Sequence, residues 1–324
     1  MKRYGEIEIH NPMELQTVDR KNSILIVAID RSTVSPVLQY FMNCGWILGN
    51  NLFLGQDFME WYLEPYLFFH ENKIYVKNLT ICVSKKCTLK CKECSQRMSY
   101  QKELGMNTLK ELTAHIDLLF SKIDFIDFLA VTGGEPFLFK ELDRLLDYMV
   151  NRYGRQIGAI RVVSNGTIMP DENFLKCAQE HGILLELTDY GFNMDKIKQA
   201  EELCKVKGVC FVENRHEHWF KMWVKNRKSS KAADYIFDQC ICHSRCDGYV
   251  DGKLVKCLCA YFAGYTYKEL DTDEDYLALS GSTAKETVFE YLRGYTVKGH
   301  LSACEMCDGL YGINTEYTVL GGQA

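Results

Sequence analysis

Leu79-Thr-Ile-Cys-Val-Ser-Lys-Lys-Cys-Thr-Leu-Lys-Cys-Lys-Glu-Cys94 is an apolar strand that runs directly into three cysteines. Cys87, Cys91 and Cys94 are spaced C-x3-C-x2-C. Three thiolates are one too few for a structural zinc or an ordinary 4Fe-4S cluster, each of which takes four protein ligands. A compact triad therefore points to a 4Fe-4S cluster with one iron left open to a small molecule. Spacing alone leaves one alternative, half of a zinc site completed by a distant Cys or His.

Downstream, an amphipathic stretch from Leu109 to Ile123 and an apolar strand from Phe125 to Val131 lead into Thr132-Gly133-Gly134-Glu135-Pro136. Two glycines ending a strand let the backbone approach a ligand closely, and the Glu and Pro fix the exit loop. The pattern then alternates. Helices are predicted over 107–121, 139–152, 171–181 and 194–206, with strands over 126–132, 158–164, 183–188 and 208–212. Repeated βα units of this kind make a parallel sheet with outer helices, and ligands collect at the carboxyl ends of the strands. Val162-Val-Ser-Asn-Gly-Thr167 and Leu187-Thr-Asp-Tyr-Gly191 are two further strand exits at that edge.

From residue 78 to 212 these motifs resemble the radical S-adenosylmethionine (radical SAM) superfamily. The resemblance implies an α/β fold, a partial (β/α)6 barrel open on one side, over 78–235. It also implies that Cys87, Cys91 and Cys94 hold a catalytic 4Fe-4S cluster whose fourth iron chelates the amino and carboxylate groups of S-adenosyl-L-methionine (AdoMet). Gly133, Gly134, Glu135 and Pro136 would then meet the AdoMet amino group, with Ser164, Asn165, Thr188 and Asp189 near the same ligand. An electron donor such as flavodoxin or ferredoxin would drive reductive cleavage to a 5′-deoxyadenosyl radical. One residue departs from the family pattern: the position before the last cysteine, often aromatic and packed near the adenine, is Glu93.

Seven of the fifteen cysteines follow residue 239: Cys240, Cys242, Cys246, Cys257, Cys259, Cys304 and Cys307. With no signal peptide a disulfide framework is not expected, and metal binding is the better account. Eleven residues separate Cys240 from Gly252, four more precede Cys257, and Cys304 and Cys307 form a C-x2-C. Tyr249-Val-Asp-Gly-Lys-Leu-Val-Lys256 has the Asp-Gly turn and flanking alternation of a two-stranded ribbon that would present Cys257 at its end. The tail, 236–324, resembles the twitch or SPASM extension of radical SAM enzymes. That implies one auxiliary 4Fe-4S cluster on Cys240, Cys257, Cys304 and Cys307, with no cysteine beyond Cys307 for a second. Cys242 and Cys246 compete with Cys240 for the first position, and a four-cysteine zinc ribbon suits the same thiolates. Cys242, Cys246 and Cys259 are left as hydrogen-atom donors or as buried structural thiols.

The chain of 324 residues is 47% hydrophobic and 25% charged, which suits one large domain with appendages. A net charge of −5 and a pI of about 6.0 argue against a nucleic-acid partner. No apolar run approaches the roughly 18 residues of a membrane span, and the longest, Ser23 to Ile29, reads as a buried strand. Iron–sulfur clusters and many thiols call for a reducing, oxygen-poor setting, which the cytoplasm of an anaerobe or facultative anaerobe fits. Residues 1–77 read as a small α/β cap, a Rossmann-like fragment with a helix from Val34 to Cys44 but no G-x-G-x-x-G.

Between barrel and tail, Trp219 and Trp223 interleave with Lys221, Lys225, Arg227 and Lys228. The segment reads either as a ring-stacking, phosphate-neutralising site or as a helix packing one aromatic face. His216 and His218 read as solvated loop residues. Two substrate classes follow: a small, phosphate- or nucleotide-linked sugar or polyol, with net oxidation favoured over epimerisation, or a ribosomally made precursor peptide.

Overall fold

The computed structural model describes residues 2–4, 7–9, 12–29, 34–101, 105–215, 219–241, 247–297, 299–310 and 314–318, and the chain divides into two units, Met1–Asn72 and Lys73–Ala324. In the smaller unit β1 (Lys2–Tyr4) pairs antiparallel with β2 (Ile7–Ile9). There β3 (Leu25–Val27) passes through α1 (Val34–Asn43) into parallel β4 (Leu52–Leu54), with Leu25 opposite Leu52 and Val27 opposite Leu54. Val27, Trp46 and Leu52 are its core, with Val37, Leu38 and Phe41 of α1 packed on them. A short α2 (Gly55–Asp57), a π turn (Phe58–Tyr62) and α3 (Leu63–Glu71) follow, and Asn72 closes α3 in the left-handed region at φ 50°. The buried strand expected over Ser23–Ile29 is corrected here: only three residues form β3, and Ile24, Ile26 and Ile29 are exposed. A two-stranded sheet with one helix on it buries one face, so alternate side chains remain outside.

The larger unit is built on an eight-stranded sheet. Its parallel strands are β5 (Tyr75–Ser84), β6 (Phe125–Gly133), β7 (Ile157–Ser164), β8 (Leu184–Asp189) and β9 (Phe211–Arg215), adjacent in that order. Between them run α4 (Leu109–Phe120), α5 (Leu142–Tyr153), α6 (Glu172–His181) and α7 (Met194–Lys207). Local chemistry sets these ends. Thr108 and Glu111 form a capping box on α4, the Asp171 carboxylate accepts from the Phe174 N–H on α6, and Gly182 and Gly208 close α6 and α7 at φ 64° and 69°. Ile116, Leu119, Leu145, Leu146 and Met149 bury one stripe of α4 and α5, and Ile126, Leu129, Val131 and Val162 are buried on β6 and β7. Each such side chain contributes about 1.5–3 kcal/mol by leaving water.

The tail completes the same sheet. After β10 (Trp219–Phe220) and α8 (Ser230–Gln239), β11 (Gly248–Val250) adds to the free edge of β5 in parallel, Gly248 opposite Thr80. Then β12 (Lys253–Val255), α9 (Leu258–Ala263), β13 (Tyr276–Ala278), α10 (Lys285–Leu292) and β14 (Tyr317–Thr318) follow. The order is β13-β12-β11-β5-β6-β7-β8-β9. The Asp-Gly turn is as read: Asp251 and Gly252 both have positive φ, 50° and 76°, between antiparallel β11 and β12. The barrel's first strand begins at Tyr75, a few residues before the boundary read after residue 77. The helix considered for the two-Trp segment does not form. Trp219 and Phe220 pair instead with Thr318 and Tyr317 of β14.

Candidate functional site

β5 ends at Ser84 and hands the chain to the loop bearing the three thiols. Cys91 is buried, while Cys87 and Cys94 are half-buried. Donors meet these sulfurs: the Leu89 N–H and the Asn165 amide each reach Cys87 Sγ at 3.4 Å. Burial pushes the Cys94 thiol up, against the N–H groups of Met98, Gln96 and Arg97 and the Arg97 charge. Cys87 is also pushed up by burial, opposed by Leu89 and Asn165. Burial raises the Tyr190 phenol, and the three thiols raise it further. Several N–H groups aimed at clustered sulfurs suit thiolates bound to a cluster. Among the described residues, no three His, Cys, Asp or Glu side chains close on a single ion's position.

The glycines of the Gly-Gly-Glu-Pro loop also lie against the chain itself. A Cβ on Gly133 would lie 2.1 Å from the Ser84 carbonyl oxygen, and one on Gly134 would lie 2.2 Å from that of Lys86. The Gly134 N–H donates to Ser84 at 2.7 Å and the Glu135 N–H to Lys86 at 2.8 Å. The close approach is thus to the chain's own backbone just before Cys87. Glu135 is fully buried, and its carboxylate accepts from the Ser164 hydroxyl (2.9 Å), the Asn165 N–H (2.9 Å) and the Phe137 N–H (3.1 Å). Burial raises its carboxyl, and these donors hold it back. Pro136 opens the short 3-10 turn that follows, where a missing N–H costs nothing.

The next strand exits close around the same point. Asn165, held through its carbonyl by the Thr167 N–H at 3.0 Å, turns its amide to Cys87. Asn193, which carried no sequence signal, donates to the carbonyls of Asn165 (2.8 Å) and Thr188 (2.9 Å) and accepts from the Tyr190 N–H (2.8 Å). It ties β7 to β8. Asp189 is buried; one carboxylate oxygen accepts from the Gly191 N–H at 2.7 Å. The other is buried without a hydrogen bond among the described residues, with Arg215 Nε 3.5 Å away. The Asp189 carboxylate is thus held buried at the exit of β8, with Arg215 as its counter-charge.

A second site lies in the tail. Cys240, Cys257, Cys304 and Cys307 line one cavity of about 30 Å³, together with Cys259 and apolar residues that include Met222, Trp223 and Phe237. The Gly309 N–H donates to Cys307 Sγ at 3.2 Å and the Leu310 N–H to Cys240 Sγ at 3.3 Å. Burial raises the thiols of Cys304 and Cys307, and each is raised further by its cysteine neighbours. Thiols that oppose one another's ionisation are a donor set that a metal's positive charge would relieve. Cys242 and Cys246 lie outside the described residues, as do His216 and His218.

The two sites share α9. Leu258, Tyr261 and Phe262 pack in one cluster with Cys82 and Met98, against which Cys87 and Cys94 also pack. Ala260 and Ala263 belong to the cluster that holds Cys307, with Cys257, Cys259 and Cys304 against it. Arg97 makes a second link: its guanidinium lies 4.4 Å from the Tyr100 ring, 4.6 Å from Tyr267 and 5.5 Å from Trp223. Trp223 also donates its indole N–H to Ser95 at 3.2 Å. At the turn between β11 and β12, Asp251 accepts from Lys85 at 2.9 Å and from Asn107 at 2.8 Å, which pins the start of the triad loop to the tail.

No family model and no curated protein matches the chain. Among solved structures it is similar to anSMEcpe with bound AdoMet at 22% identity and TM-score 0.35, over 43% of this chain and 42% of that one, so it spans less than half of that protein's length. It is similar to BtrN in complex with AdoMet and 2-DOIA at 18% identity and TM-score 0.46, over 76% of this chain and 98% of that one. SuiB of Streptococcus suis bound to S-adenosylmethionine gives 14% identity and TM-score 0.37, over 64% of this chain and 48% of that one. These three are radical SAM enzymes. In its sequence motifs the chain is similar to the radical SAM superfamily.

Proposed function

We propose that this chain is a radical SAM enzyme, with a catalytic 4Fe-4S cluster on Cys87, Cys91 and Cys94 and AdoMet at the strand exits around it. One observation carries the reading: Glu135, Ser164, Asn165 and Cys87 are joined by consecutive hydrogen bonds, so three separate motifs form one site. Five parallel strands in linear order, β5 to β9, extended at the β5 edge by β11 to β13 of the tail, support a partial βα barrel with a twitch-like tail. The tail's cavity would hold one auxiliary 4Fe-4S cluster on Cys240, Cys257, Cys304 and Cys307.

Bound there, the cluster and AdoMet would supply a 5′-deoxyadenosyl radical able to take a hydrogen atom from an unactivated C–H. The protein's part is orientation. The ion pair of Asp189 with Arg215 stands at the exit of β8, and Asn165 directs its amide at Cys87. Because α9 packs against the triad on one face and the second cavity on the other, an electron from a substrate radical has a short route to that cavity, which favours net oxidation.

A small sugar or polyol is the substrate class favoured, in a reducing cytoplasm, with flavodoxin or ferredoxin as electron donor. Two of the four basic residues read as phosphate neutralisers are paired within the chain, Lys228 with Asp308 at 2.7 Å and Arg227 with Glu305, so a phosphate on that substrate loses part of its support. The test is anaerobic turnover with dithionite and AdoMet. Release of 5′-deoxyadenosine and methionine is expected and Cys91→Ser should abolish it; continued release by that variant would sink the reading. Deuterium carried into 5′-deoxyadenosine from labelled peptides, and from no labelled polyol, would move the substrate class to peptides.

A further inference from the structure

We propose that Cys259 belongs to the second metal centre as a fifth thiolate, interchangeable with Cys257 at one corner of the cluster. This rests on the auxiliary-cluster reading above. A 4Fe-4S cluster takes four protein thiolates, yet Cys240, Cys257, Cys259, Cys304 and Cys307 all line the one cavity.

Two of the five are met by backbone donors. The N–H groups of Gly309 and Leu310 meet Cys307 and Cys240, and Gly309 is held at φ 80° where a Cβ would come within 3.2 Å of Ile236. Cys304 lies on the 3-10 turn Ser302–Met306, directly before Cys307, and shares its short tether. The remaining pair is different in kind. Residues two apart on a helix point about 200° away from each other, so a C-x-C inside a helix cannot serve one cavity. Here Cys257 stands just before α9 with extended backbone, φ −152° and ψ 113°, while Cys259 is inside the helix. That break lets both thiols reach the same space, and both pack against the same buried cluster. Exchange balances simply. Cys259 would lose its thiol proton on binding and Cys257 would regain one on release, so the exchange would change no oxidation state.

The experiment uses the full chain with Cys87, Cys91 and Cys94 all changed to Ala, so that iron reports the second site alone. After anaerobic reconstitution, about four irons per chain are expected in this background, with Cys257→Ala added, and with Cys259→Ala added. With both added, iron should fall below about one per chain. The dithionite-reduced paramagnetic signal should persist in the Cys257→Ala chain with altered g values, because one ligand has been exchanged. Loss of the iron on Cys257→Ala while Cys259 is intact would overturn the proposal, and so would retention of iron in the double variant. A background chain that binds no iron would overturn the auxiliary-cluster reading itself, a distinguishable failure. If Cys257→Ala fails to fold by circular dichroism, Cys257→Val, whose side chain offers iron no donor atom, is judged by the same iron criterion.

Discussion

A buried carboxylate with several donors is worth more than any one of its contacts, and Glu135 is the residue that shows it. Without its carboxylate, the N–H groups of Asn165 and Phe137 and the Ser164 hydroxyl would be left unpaired in a dry site. Each such group costs about 1–3 kcal/mol, so Glu135→Ala should be among the most destabilising single changes in the chain, read from the urea midpoint of the metal-free protein. Asp189 gives a prediction of the opposite kind. Its second oxygen faces Arg215 Nε at 3.5 Å, a pair with a largely exposed arginine, so Asp189→Asn should lower the melting temperature only slightly while AdoMet binding, measured by equilibrium dialysis, weakens about tenfold. Both residues were legible in the sequence as members of strand-exit motifs. Their roles were not, and Asn193 was not legible at all: hydrogen bonds to carbonyls 28 and 5 residues away leave no local pattern.

Elements were read closely where their ends are chemical and misread where pairing decides them. The helices between β5 and β9 begin and end within about three residues of expectation, because capping side chains and left-handed glycines are local signals. β10 was missed. Trp219 and Trp223 have helical spacing, but backbone pairing with β14, nearly a hundred residues on, overrode it. The turn of β11 and β12 carries its own test: Asp251→Ala removes the acceptor for Lys85, Asn107 and Tyr261 and should destabilise the fold by about 1–3 kcal/mol, whereas Asp251→Asn keeps a residue suited to positive φ and should lose less. Asp275 holds the start of the Cys304 turn, accepting from the Ser302 N–H at 2.9 Å. Burial raises its carboxyl from 3.8 to about 6 against those donors. Its folded value lies above its unfolded one, so the stability it contributes is present below about pH 4 and is lost as pH rises through about 6. Asp275→Asn should flatten that part of the stability–pH curve, measured by thermal melts against the unaltered chain.

At the scale of the whole molecule, every cysteine assigned to a cluster lies in the unit Lys73–Ala324. Residues 73–324 produced alone should therefore bind as much iron per chain as the full chain, about eight, with about four left when the triad is changed to Ala. A fragment that folds but holds half the iron of the full chain would refute this. Among the described residues no helix is long and apolar enough to cross a membrane. The chain's own sequence determined the thiol triad, the Gly-Gly-Glu-Pro exit, the βα alternation and the tail's C-x2-C, because each is written in neighbouring residues and in periods of two or 3.6. Only the tertiary structure decided that the two glycines serve the chain's own backbone, that the tail adds β11 to β13 to the same sheet, that α9 joins the two cysteine sites, and that Cys259 shares the second cavity. These depend on contacts between residues far apart in the chain, whose geometry is set by packing and not by spacing.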